Sequence, residues 1–169
     1  RVLAFMRELE YEALKAGMVN LDKHLRNLQS FGQTVVVAFN RYNGDTDEEI
    51  NYVRQHCAEL GVGCEVNNAY ALGGEGAADL ARLVVDTIEQ KPSSELHFAY
   101  EDTDSVEDKI GKVAKNLYGA ASVTLTVAAK KKLAMIAELG YTHFPICIAK
   151  TQYSFSTDAK KYGAPEGFG

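Results

Sequence analysis

Apolar positions along this chain alternate between two rhythms. From about Phe5 to Ser30, Leu9, Leu14, Met18, Leu21, Leu25 and Leu28 recur every three, four or five residues. That spacing predicts a helix, broken or kinked near Gly17 and ended by Gly32. Residues 34–39 then form a continuous β-branched and aromatic run, as expected of a parallel strand buried on both faces. A polar loop over 40–45 leads to a helix over about 46–60. Its first turn carries Asp47, Glu48 and Glu49, where carboxylates suit the helix dipole. The alternation repeats, with strands over 62–66, 96–99, 122–125 and 145–149. Helices fill 77–90, the stretch after Asp104 to about Tyr118, and 127–139.

Short strands separated by longer helical patterns specify βαβ units with right-handed crossovers. The expected fold is α/β: a three-layer, mostly parallel sheet of about five strands with helices on both faces. The α/β domain is expected over 1–153. Residues 154–169, polar and punctuated by Gly and Pro, are expected as a loop tail or frayed end leading to a further C-terminal part.

Composition narrows the classes. A chain of 169 residues, 46% hydrophobic and 24% charged, suits one soluble domain. The net charge of −5 argues against non-specific nucleic-acid binding. No apolar run approaches the roughly 20 residues of a membrane helix. Glu8, Glu10 and Glu12 argue against a signal peptide. Cys57, Cys64 and Cys147 are odd in number and form no Cys-x-x-Cys, which suits a reducing, cytoplasmic compartment. No His or Cys pair has metal-ligand spacing, so no metal site is expected. The chain opens on Arg1 within a helical pattern and reads as a fragment of something longer.

Candidate chemistry collects after the strands, where open α/β sheets bind ligands. The first loop, Asn40-Arg41-Tyr42-Asn43-Gly44-Asp45-Thr46, offers a flat ring, a cation, an amide and a carboxylate. The same residues also make a turn and a helix cap, with Asp45 or Thr46 as the cap. The second runs from Asn67 through Tyr70 to Gly73-Gly74-Glu75-Gly76. Its glycines allow close backbone approach at a helix start, although Glu75 repels phosphate and the loop equally serves as a plain connection. Tyr42 and Tyr70 follow consecutive strands and could sandwich a planar heterocycle, or each could pack under its own loop. The third is Lys150-Thr151-Gln152-Tyr153-Ser154, where Lys150 could neutralise an anion and Gln152 could donate and accept. Lys130, Lys131 and Lys132 read as a solvated helix face, and the four histidines lack partners at telling intervals.

These segments carry a resemblance. Ile148 onward reads Ile-Ala-Lys-Thr-Gln-Tyr-Ser, followed by Gly163-Ala-Pro-Glu-Gly-Phe. Glu12 to Gly17, Asn20 to His24, Val35 to Arg41 with Asp45-Thr46-Asp47, Tyr70 to Gly76, and Ile110 and Ala114 with Tyr118-Gly119-Ala120 precede it in matching order. Together they resemble formate–tetrahydrofolate ligases over nearly the whole chain. The resemblance implies a P-loop NTPase-like or Rossmann-like fold. It also implies an ATP-dependent joining of formate to tetrahydrofolate through formyl phosphate, giving 10-formyltetrahydrofolate. ATP with Mg²⁺ is the implied cofactor, formate and tetrahydrofolate are the substrates, and a tetrameric homo-oligomer is the implied assembly.

In that family a Phe and a Trp flank the ligand ring, and these positions are Tyr42 and Tyr70 here. The ring-binding set this gives is Asn40, Arg41, Tyr42, Val66, Tyr70, Gly73, Gly74, Lys150 and Gln152. Two departures stand out. Asn43 replaces a Pro common after the Phe, and nothing in residues 1–169 matches the family's upstream Gly-rich ATP loop. The chain corresponds to roughly a third of the family's length, from its middle to late portion. By itself it is expected to be inactive.

Overall fold

In the computed structural model of the chain, residues 2–149 and 154–169 are described. They form two compact units. One comprises residues 1–18 and 24–96, the other residues 19–23 and 97–169.

In the first unit, helix α1 (Val2–Ser30) runs through Gly17 without interruption, contrary to the expected break. No atom beyond the local helix lies within 4 Å of a Cβ placed at Gly17, so the glycine is tolerated there, not used. Gly32, with φ +78°, ends the segment by donating to the Gln29 carbonyl at 2.9 Å. Strand β1 (Val36–Asn40) pairs in parallel with β2 (Gly63–Asn67), from Val36 opposite Gly63 to Asn40 opposite Asn67. Between them lies α2 (Asp47–Glu59), started by a reciprocal capping box between Thr46 and Glu49. Its buried residues, Ile50, Val53 and Cys57, share one face. Burying the Ile and Val side chains stabilises the unit by about 1.5–3 kcal/mol each.

After β2 come a single turn, α3 (Ala69–Leu72), a 3₁₀ turn (Gly73–Ala77) and α4 (Ala78–Gln90). Adjacent strand positions face opposite ways. The Cys64 thiol meets Cys57 of α2, whereas a Cβ at Gly63 would touch Leu83 of α4 at 2.9 Å. The chain after α4 then returns to the start of β1. Ser94 donates to the Gly32 carbonyl at 2.9 Å, and the Ser93 hydroxyl accepts from Thr34 at 3.0 Å.

The second unit contains α5 (Val106–Val113), capped by Ser105, a π-helical turn (Ala114–Tyr118), and α6 (Val127–Glu138), capped by Thr126. Lys109 is wholly buried and donates to the carbonyls of Thr142 and Phe144, at 3.2 Å each. Residues 154–169 contain no helix or strand, yet Ser154, Phe155 and Ser156 are buried. Gly167 donates to Gly119 at 2.8 Å, and Ala121 donates to Phe168 at 2.7 Å.

The α/β class and the parallel pairing follow the sequence pattern. The sheet of about five strands does not: among the described residues it has two. Residues 96–99, 122–125 and 145–149 lie outside any ladder. Their composition fits a pleated, half-buried surface, but a strand also needs a neighbour. The side chains of Leu96 and Phe98 are instead exposed, and the Ile146 amide donates to the Tyr100 hydroxyl at 3.0 Å.

Candidate functional site

A cleft in the first unit opens at the carboxyl ends of β1 and β2, where their backbones stop pairing. It has a volume of about 810 Å³, and its walls are the 40–45 loop and the start of α3. The last backbone bond of the pair runs from Arg41 N–H to the Asn67 carbonyl at 3.1 Å. Beyond it the two asparagines link side by side, Asn67 Nδ2 donating to Asn40 Oδ1 at 2.9 Å. Asn67 Oδ1 accepts from the Ala69 amide at 3.2 Å, which fixes its orientation. Asn40 therefore keeps its amide N–H groups without an acceptor among the described residues.

The first loop is a closed turn. The Asp45 carboxylate accepts from the Tyr42 amide at 2.7 Å, and the Asp45 amide donates back to the Tyr42 carbonyl at 3.2 Å. Gly44, at φ +116°, occupies backbone space that an L side chain resists. The Arg41 guanidinium is held by Asp47 at 3.1 Å. This geometry projects Tyr42 into solvent, 74% exposed.

The second loop is tighter. Asn68 donates to the Gly76 carbonyl at 2.8 Å and accepts from Ala71 and Leu72 at 3.2 and 3.1 Å. A Cβ on Gly76 would lie 2.3 Å from the Asn68 carbonyl oxygen, so glycine is required there. Tyr70, on the turn this closes, is fully exposed and lines the same cleft as Tyr42.

The family model described as formate–tetrahydrofolate ligase matches residues 4–169. The chain belongs to this family. A formate–tetrahydrofolate ligase of Phocaeicola vulgatus is 64% identical over 163 residues, covering 96% of this chain. Those of Bacteroides fragilis and Caldicellulosiruptor saccharolyticus are 58% and 46% identical, covering 96% and 93% of it. The chain spans 28–29% of the length of these ligases.

Against this ligase background, the cleft brings together four of the sequence-predicted residues: Asn40, Arg41, Tyr42 and Tyr70. Val66 opens instead onto a neighbouring groove of about 480 Å³, which shares Arg41 and Asn68 with the cleft. That groove is acidic on balance. Arg54 pairs with Glu65, whose carboxyl is held below the usual range by the Val66 amide and by that guanidinium. Glu75 and Asp79 add further negative charge. Gly73 and Gly74 sit on the 3₁₀ turn and line neither hollow. Lys150 and Gln152 lie outside the described residues. The wall also includes Asn43, Gly44, Asp45, Asn67, Asn68 and Ala71, which the predicted set omits. Their signal was positional, since each lies within a few residues of a strand's carboxyl end.

Proposed function

We propose that this chain supplies the ring-binding part of a formate–tetrahydrofolate ligase, with the planar ring of tetrahydrofolate, or the adenine of ATP, between Tyr42 and Tyr70. One observation carries the reading: two solvent-exposed tyrosines line one cleft above the ends of two parallel strands. Stacking on each aromatic face contributes about 0.5–1.5 kcal/mol beyond the area covered. The spare N–H groups of Asn40 and the guanidinium of Arg41 read the ring's polar edge. Val66, the Gly73-Gly74 backbone, Lys150 and Gln152 complete the set as nearby groups.

Formate activation belongs to other parts of the enzyme. The sequence contains no Gly-x-x-x-x-Gly-Lys loop to cradle phosphates. On this reading the chain alone is inactive. In the complete ligase, segments 96–99, 122–125 and 145–149 extend the sheet to about five parallel strands in three layers. Residues 1–153 form that domain, and 154–169 lead into the C-terminal part. The assembly is a cytoplasmic homo-oligomer, tetrameric by resemblance. The competing reading is a non-catalytic α/β ligand-binding module, favoured by a cleft without any nucleophile–base pair.

Calorimetric titration with tetrahydrofolate and, separately, ATP tests the proposal. It is run on the chain and on a full-length relative carrying residues 4–169 of this chain. Tyr42→Ala and Tyr70→Ala should each weaken binding of one ligand about tenfold, as expected for losing one stacked face and its buried area. Unchanged affinity in both variants of the full-length protein refutes the sandwich. Turnover by the isolated chain refutes its inactivity.

A further inference from the structure

We infer that the outer face of α4 is a docking surface for the rest of the ligase polypeptide, the portion of the full-length relatives lying outside the match. Helix α4 has three faces. Leu80, Leu83 and Thr87 turn inward, with Leu83 closing on Gly63 of β2. Asp79, Arg82, Asp86 and Glu89 form the solvated face. Between them runs a third stripe, Ala81, Val84, Val85 and Ile88, at the three- and four-residue spacing of a single helix face. All four are exposed, Val85 by 54% and Ile88 by 65%, and no charge interrupts them. A soluble helix ordinarily shows one apolar face; α4 shows two, and only one is covered.

The sheet adds a second argument. Two parallel strands, each with an open edge among the described residues, form a minimal version of an architecture that is normally wider and covered. The remaining polypeptide is large enough to cover the stripe, because the match spans only 29% of the Phocaeicola relative.

The test is thiol accessibility, resolved by peptide mass spectrometry. Val85→Cys, Ile88→Cys and the polar-face control Glu89→Cys are made in this chain and in the full-length relative carrying residues 4–169. In the chain, all three should alkylate rapidly. In the full-length protein, Val85→Cys and Ile88→Cys should slow at least tenfold while Glu89→Cys stays fast. Equal rates in the two settings overturn the inference. Concentration-dependent protection in the isolated chain also overturns it and assigns the stripe to a second copy. If the full-length cysteine variants fail to fold, binding of the chain to the complementary polypeptide of the relative decides. Ile88→Glu should weaken that complex at least tenfold, and undiminished binding overturns the inference. Neither readout involves a ligand, so this result is independent of the ring-binding proposal.

Discussion

Gly76→Ala should unfasten the loop that presents Tyr70. The new Cβ would sit 2.3 Å from the Asn68 carbonyl oxygen, 2.6 Å from its carbon and 3.0 Å from Leu72 Cβ. Ordinary C···O contacts begin near 3.3 Å, so the two backbone segments must part by about 1 Å. That movement breaks or stretches the Asn68-to-Gly76 hydrogen bond, now 2.8 Å. Overpacking of this kind costs about 1–3 kcal/mol, and the bond adds about 1 kcal/mol. Against this, replacing a glycine restricts the unfolded chain and returns about 0.4–1 kcal/mol. The net loss is about 2 kcal/mol. Gly74→Ala is the internal control, because nothing lies within 4 Å of its Cβ. Urea denaturation of the two variants measures the difference, and ligand titration of Gly76→Ala should show weakened binding. If Gly76→Ala is as stable as Gly74→Ala, the close approach of the two segments is wrong, and so is the placement of Tyr70.

Three further outcomes are expected. Cys147 is exposed and should alkylate first in the native protein, with Cys57 and Cys64 protected until unfolding. The Cys64 thiol is pushed up to about 12 by burial and by the adjacent Cys57. The folded state therefore holds its proton longer than the unfolded chain, so its stabilising contribution is complete below about pH 9 and falls as pH rises towards 12. Denaturation at pH 7 and pH 10 should show that loss, smaller in Cys64→Ser, and an equal loss in both proteins would refute the assignment. Lys109→Met should destabilise the second unit by about 2–3 kcal/mol, because it orphans the Thr142 and Phe144 carbonyls that the buried ammonium serves. A denaturation midpoint unchanged from the parent chain would contradict that role.

The site was legible in part because its signals are local. Asn, Gly and Asp after an apolar strand announce a turn, and Thr46 with Glu49 forms a capping box readable from spacing alone. The turn-and-cap reading of the first loop and the ligand reading are thus not rivals. Closing the turn through Asp45 is what turns Tyr42 outward. What spacing could not show is the link between the loops. The Asn40–Asn67 amide pair depends on strand register, and the need for glycine at 76 depends on Asn68, eight residues away. A reading of Gly73-Gly74-Glu75-Gly76 as a ligand cradle misses that one glycine serves the protein's own backbone.

The same division explains which strands formed. Residues 36–40 and 63–67 are neighbours across one crossover helix, so each finds its partner within the chain; α4 packs on both strands and α2 on β2. Residues 96–99, 122–125 and 145–149 have equally strand-like composition and no ladder. β-propensity measures how well side chains suit a pleated, packed surface, and it is silent on whether that surface is present. Helix α4 makes the point within a single element. Its inward face is satisfied by Gly63 and its neighbours, while Val85 and Ile88 carry the same apolar character into solvent. A hydrophobic pattern records every partner a segment is built to meet, including those beyond the chain being read. Exposed apolar residues at regular spacing are therefore as informative about the complete ligase as the buried ones are about this part of it.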